Sequence, residues 1–81
     1  MPRFTNTNSV AINYHFTDVA SCTLRSDGTL YNWALDVSTG YTTLFPGDTI
    51  YMFPTSAEMQ VWLDDHGLVM ESKTPPPPET I

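Results

Sequence analysis

The sequence predicts an α+β fold: an antiparallel meander of about five strands, with one short helix packed on one face of the sheet. Three observations lead there. Apolar and polar residues alternate through residues 10–16 and 30–37, the period of a half-buried strand. Asp27-Gly28 and Pro46-Gly47 stand between such runs, where an antiparallel chain must reverse. After Pro54 the apolar period changes to that of a helix.

The opening residues, MPRFTNTNS, are polar and dense in side chains that bond their own backbone. They predict a loose lead-in over residues 1–9, ahead of a single domain over 10–72. Val10, Ile12, Tyr14 and Phe16 then alternate with Ala11, Asn13 and His15 as a first strand. TDVAS turns the chain, and a second strand runs to Asp27-Gly28, a tight hairpin turn of the kind that demands positive φ. On the return strand Tyr31, Trp33, Leu35 and Val37 point one way, and Leu30, Asn32, Ala34 and Asp36 the other. STG is read as another reversal, residues 41–45 as a fourth strand, Pro46-Gly47 as a type II turn and residues 49–53 as a fifth strand. The β-branched and aromatic content agrees with this reading.

Thr55 and Glu58 make a T-x-x-E capping box with Pro54 just outside it. It opens a helix that begins at Ser56 and ends at His66, with Met59, Trp62 and Leu63 on one stripe. Gly67 suits the left-handed position after a helix, and Leu68 falls where a Schellman motif places its contact with Leu63. LVMES reads as a final edge strand. KTPPPPETI continues neither element, because proline has no N–H to donate. Residues 73–81 read as a mobile polyproline II tail, a spacer in preference to a ligand for an SH3-type domain.

The chain has 81 residues, 41% hydrophobic and 12% aromatic, enough for one small domain with one core. No apolar run is long enough to span a membrane, and the N-terminus lacks the apolar region of a secretory signal. The single cysteine, Cys22, excludes a disulfide framework and a multi-cysteine zinc site. Together these predict a cytoplasmic chain. Nine acids against three bases give a net charge of -6. Such a chain repels nucleic acid and anionic lipid, which disfavours both as direct partners and favours a basic protein. Charge of this size also keeps a small domain soluble.

Chemistry-bearing residues are sparse. His15 and Cys22, read as lying on neighbouring strands, have no third orienting group, and a small buried cysteine is the commoner role. His15 and His66 show no metal-ligand spacing. Asp18, Asp27, Asp36 and Asp48 lie at or near turns, where aspartate bonds its own backbone, and do not match a calcium loop. GYTTLFPGDT has no phosphate-binding spacing. The chain therefore reads as non-enzymatic, with no cofactor and no metal.

Asp64 and Asp65 are the puzzle. They meet the negative end of the helix dipole, at a cost of about 0.3–1 kcal/mol each when exposed. With Glu58 they form an acidic stripe beside the apolar one. It is either a solvated face or a surface offered to a Lys/Arg-rich partner. Large apolar residues also occur in both phases of the strand alternation, as at Tyr51, Met52 and Phe53. Either the sheet curls to bury both faces, or one face is exposed or covered by a second copy. The candidate partner-binding residues are Glu58, Asp64 and Asp65 for charge, with Trp62, Tyr51 and Tyr31 as aromatic anchors, on a monomer or homodimer.

In size and acidic composition, though in no specific motif, the chain resembles the small acidic proteins that phages encode to disable host machinery, among them anti-CRISPRs and DNA mimics. That resemblance implies an inhibitor or adaptor of a basic, nucleic-acid-handling protein in the host cytoplasm. The alternative is a structural subunit, such as a virion component, that self-associates through an uncovered sheet face.

Overall fold

Two long strands dominate the fold. The computed structural model describes residues 2–69. Strands β1 (Arg3–Thr5), β2 (Ile12–Leu24), β3 (Leu30–Leu44) and β4 (Thr49–Phe53) form one antiparallel sheet, and helix α1 (Ser56–Asp65) follows. The sheet order is β1-β4-β2-β3. The class is the α+β one that the sequence predicts, with four strands in place of five.

Two expected reversals are absent and one strand, β1, is added. TDVAS and STG lie inside β2 and β3. Asp18 and Asp36 take φ of 53° and 51° there, a region that aspartate tolerates better than most residues. The β2–β3 register shifts between Val19 and Ser21. That shift is a bulge on β3 at Asp36, where Ala34 to Val37 span one residue more than Val19 to Ser21 on β2. A bulge bends a strand without ending it. At Asp18 the pairing runs on unshifted from Thr17↔Thr39 to Val19↔Val37. The outcome is one ribbon paired from Ile12↔Leu44 to Leu24↔Leu30.

The ribbon folds back on itself. Asn32 Nδ2 donates to Thr42 Oγ1 at 2.9 Å although the two are 10 residues apart in one strand; a straight strand would hold them roughly 33 Å apart. The bend creates two cores. On the helix side, Ala20, Cys22, Trp33, Phe53, Met59 and Leu63 are buried together. On the other face, Phe16, Leu44 and Ile50 are buried, with Ile12, Tyr14, Val37 and Met52 packed around them. Apolar residues in both phases are thus accounted for by curling.

The N-terminal lead-in is part of the sheet, contrary to expectation. β1 pairs with β4 from Arg3↔Tyr51 to Thr5↔Thr49. Asn6 is 1% exposed. Its Nδ2 donates to Val10 O at 3.0 Å and Leu44 O at 2.8 Å, and its Oδ1 accepts from Asn8 N at 2.9 Å. The side chain does bond its own segment, as its type favours, but it also locks that segment onto β3. Val10 is exposed and precedes β2, so the first long strand starts later than its alternation implies.

Turn chemistry is mostly as read. Asp48 N donates to Phe45 O at 2.9 Å across Pro46-Gly47, with Gly47 at φ 89°, as a type II turn requires. The β2–β3 turn is longer than the predicted tight one. Gly28 N donates to Arg25 O at 2.8 Å, Arg25 N donates to Thr29 O at 2.9 Å, and Gly28 takes φ 87° while Asp27 does not have positive φ. This is a three-residue loop closed by a glycine bulge. Asp27 Oδ1 accepts from Thr29 N at 2.9 Å, and bonding from Thr29 holds the Asp27 carboxyl below the usual carboxylate range. Leu68 and Val69 lie outside any strand. The rest of the expected edge strand and the proline tail lie outside the described residues. Among the described residues, no helix is long and apolar enough to cross a membrane.

One buried group is unsatisfied. Among the described residues, Thr23 Oγ1 is buried without a hydrogen-bond partner, opposite Ile50 in the β2–β4 register. An unmade bond to a buried polar group costs about 1–3 kcal/mol. Thr23→Val puts a methyl in place of the hydroxyl and is expected to raise stability by about 1 kcal/mol. The check is a higher urea midpoint at unchanged slope; a lower midpoint would mean the hydroxyl is satisfied.

Candidate functional site: a groove between helix α1 and strand β4

Both ends of α1 are built from local sequence, and one receives a distant residue as well. Thr55 Oγ1 accepts from Glu58 N at 3.3 Å and donates to Glu58 Oε2 at 3.3 Å. Asp36, on the β3 bulge, accepts from Ser56 N at 2.7 Å and from Ser56 Oγ at 2.6 Å. That carboxylate sits at the positive end of the helix dipole and ties β3 to the helix start. At the other end the helix stops at Asp65, one residue earlier than expected, with His66 as its cap. Gly67 at φ 67° allows Gly67 N to donate to Asp64 O at 3.1 Å and Leu68 N to Leu63 O at 2.9 Å, the bonds of the expected Schellman motif.

With Met59 and Leu63 turned into the core, the neighbouring face carries Glu58, Val61, Trp62 and Asp65. Their spacing of i, i+3, i+4 and i+7 places them on one side of the helix. They form one wall of an open groove of about 560 Å³, whose other wall is Pro2, Met52, Phe53 and Pro54. β1 and β4 bring that second wall into place, with Met52 N donating to Pro2 O at 3.1 Å.

The predicted partner residues divide on this geometry. Glu58 and Asp65 edge the groove and are exposed. Trp62 stands between them, half-buried, its ring 4.6 Å from Tyr51, 4.1 Å from His66 and 5.7 Å from Phe53. His66 Nδ1 lies 2.8 Å from Trp62 O, which fixes the stack. Tyr51 therefore props the tryptophan instead of lining the groove. Asp64 is turned to a different helix face, where its Oδ1 accepts from Gln60 Nε2 at 3.0 Å. Tyr31 belongs to the β2–β3 end of the sheet, where the Arg25 guanidinium covers its ring at 4.1 Å. Sequence reasoning missed Val61, Met52 and Phe53. The signal for Val61 was present: a valine stands three residues after Glu58, on the same side of the helix.

Other carboxylates serve the fold. Asp48 is 2% exposed, and its Oδ2 accepts from Phe45 N at 3.1 Å. Asp18 and Asp36 border a smaller polar hollow of about 250 Å³ beside Pro54. His15 and Cys22 lie in opposite halves of one strand, β2, and not on neighbouring strands. His15 is exposed and stacks on Tyr41 at 5.4 Å. Cys22 is buried in the helix-side core, and burial pushes its thiol up to about 12, so it carries no thiolate at neutral pH. Among the described residues no group of three or more His, Cys, Asp and Glu gathers as a metal centre would need.

The groove offers an apolar floor between two carboxylates that are seven residues apart, roughly 10 Å along the helix. Set against known protein families, characterised proteins and solved structures, the chain has no match.

Proposed function

We propose that the chain is a non-enzymatic binding domain that captures a basic protein, of the kind that handles nucleic acid, in the groove between α1 and β4. The observation that carries this reading is the placement of Glu58 and Asp65 on either side of Val61 and Trp62, on one helix face. Carboxylates at the rim steer a cationic partner and speed its encounter. A half-buried tryptophan backed by other rings supplies the anchor that holds it. The same carboxylates repel phosphate, so nucleic acid is not the ligand.

The resulting role is that of an inhibitor or adaptor acting in the cytoplasm, as for the anti-defence proteins the chain resembles in composition. The site is local, not an extended array of charges that copies a duplex, because Asp36 and Asp48 are bonded into the fold. The burial of Phe16, Leu44 and Ile50 within the chain favours this reading over a subunit that self-associates through a bare sheet face.

The test compares Glu58→Lys/Asp65→Lys with Asp64→Lys in capture of basic proteins from host lysate. The double variant is expected to lose at least tenfold in capture, while Asp64→Lys changes it less than threefold. Wild-type capture should fall as salt rises from about 0.05 to 0.5 M. Equal capture by wild type and the double variant refutes the site.

A further inference from the structure

We infer that the groove takes a proline-containing segment of its partner in the polyproline II conformation, with two basic side chains three residues apart. The inference rests on the reading that the groove binds a cationic partner, and it names the form that partner takes. Three features of the groove select it.

The first is spacing. Polyproline II has three residues per turn and a rise of about 3.1 Å, so residues i and i+3 lie on the same side about 9 Å apart. Glu58 and Asp65, seven helical residues apart, are separated by roughly 10 Å. Two cations at i and i+3 therefore meet both carboxylates at once. An extended β-strand fails this match, because its residues i and i+3 face opposite sides.

The second is the absence of a usable strand edge. Pro2 and Pro54 stand at the groove on the sheet side, and neither has an N–H to donate to an added strand. Met52 N is already bonded to Pro2 O. A ligand here cannot rely on ladder hydrogen bonds. Polyproline II needs none, because its backbone has no internal bonds and stays solvated.

The third is the lining. Trp62, Pro2 and Pro54 line the groove with rings, over the buried Phe53, and proline rings pack against such surfaces. Aromatic-lined grooves use such ligands because the conformation is preformed and loses little entropy on binding. Charge complementarity then fixes the ligand's basic side chains on the Glu58–Asp65 side.

The probe is a capped Lys-Pro-Pro-Lys-Pro-Pro peptide, titrated into the full chain and followed by tryptophan fluorescence at low salt. Saturable binding is expected, weakened at least tenfold by Glu58→Gln/Asp65→Gln and at least tenfold by Val61→Asp. Val61 is 62% exposed, so that substitution leaves the fold intact, which circular dichroism checks. A peptide with lysines two residues apart should bind at least fivefold more weakly.

Four results would overturn the inference. Equal affinity for both lysine spacings removes the geometric argument. Binding of an alanine-based helical peptide with lysines seven apart, in preference to the proline peptide, leaves the proposed function standing and replaces the ligand class. Affinity that rises in Lys73→Glu assigns the groove to the chain's own run of prolines at 75–78 and removes a partner segment as its occupant. Failure of every peptide sinks the inference alone; failure of the capture experiment as well sinks the function on which it rests.

Discussion

Asn6→Ala is expected to cost about 3 kcal/mol of stability, and more than any single surface change. The side chain carries three hydrogen bonds from a site that is 1% exposed. Its removal takes a donor from the Leu44 carbonyl, the most deeply buried of the three partners, and from Val10 O, and an acceptor from Asn8 N. A buried group left unmade costs about 1–3 kcal/mol, and the two half-buried partners recover part of theirs from water. An 81-residue domain holds roughly 4–12 kcal/mol in total. The melting temperature should fall by about 12–24 °C, at about 4–8 °C per kcal/mol for this size.

Asn6→Asp separates hydrogen bonding from packing. A carboxylate keeps the bond from Asn8 N but faces the Val10 and Leu44 carbonyls with no proton to donate. The fold then favours the protonated acid, so its folded pKa stands above its unfolded value. Stability lost at neutral pH should therefore return in part as pH falls through that raised value. A loss under 1 kcal/mol in Asn6→Ala, or an Asn6→Asp variant that weakens further as pH falls from 7 to 5, would show that Asn6 does not clamp the N-terminal segment.

How legible each feature was follows from the sequence distance over which its cause acts. The helix was readable because Thr55, Glu58, Gly67 and Leu68 complete their bonds within a few residues. The bulge at Asp36 and the positive φ at Asp18 within a continuous strand were not, because a bulge and a turn ask the same thing of one residue: tolerance of positive φ. What distinguishes them is whether the flanking segments keep the same partner strand, and that is decided across the whole ribbon. Asn6 was read as a loop former and is one, through Asn8; its bond to Leu44 spans 38 residues, beyond any local pattern.

The site divides in the same way. The helix wall was present in the spacing of Glu58, Val61, Trp62 and Asp65. The opposite wall comes from Pro2 and Met52, which only the β1–β4 pairing brings together. Asp64 was grouped with Asp65 because they are adjacent in sequence. On a helix, neighbours point about 100° apart, so only one of them reaches the rim. Of the two acids at the helix C-terminus, Asp65 borders the groove and Asp64 is partnered by Gln60.

Gly40→Ala tests the bend that closes the second core, and the sign of its effect is diagnostic. In an ordinary strand, replacing glycine by alanine helps by roughly 0.5–1 kcal/mol, because glycine loses the most backbone freedom on folding. Gly40 does not take positive φ, so backbone strain gives no reason against the change. Its neighbour does. Gly40 is paired with Phe16, and a Cβ there would lie 2.6 Å from Phe16 Cε1, 3.0 Å from Cζ and 3.3 Å from Val37 Cγ2. Phe16 is 7% exposed and packed in a core with Leu44 and Ile50, so moving its ring disturbs that packing. Overpacking of this kind costs about 1–3 kcal/mol, so Gly40→Ala is expected to destabilise by about 2 kcal/mol. In a Phe16→Leu background the close approach is gone, and the same substitution should be neutral or favourable. The two changes are then coupled by about 1–3 kcal/mol, as expected of residues in direct contact. Urea unfolding of the four proteins measures that coupling. Additivity within about 0.5 kcal/mol would mean that the ring of Phe16 is not what reserves position 40 for glycine, and that the ribbon closes on its second face by some other contact.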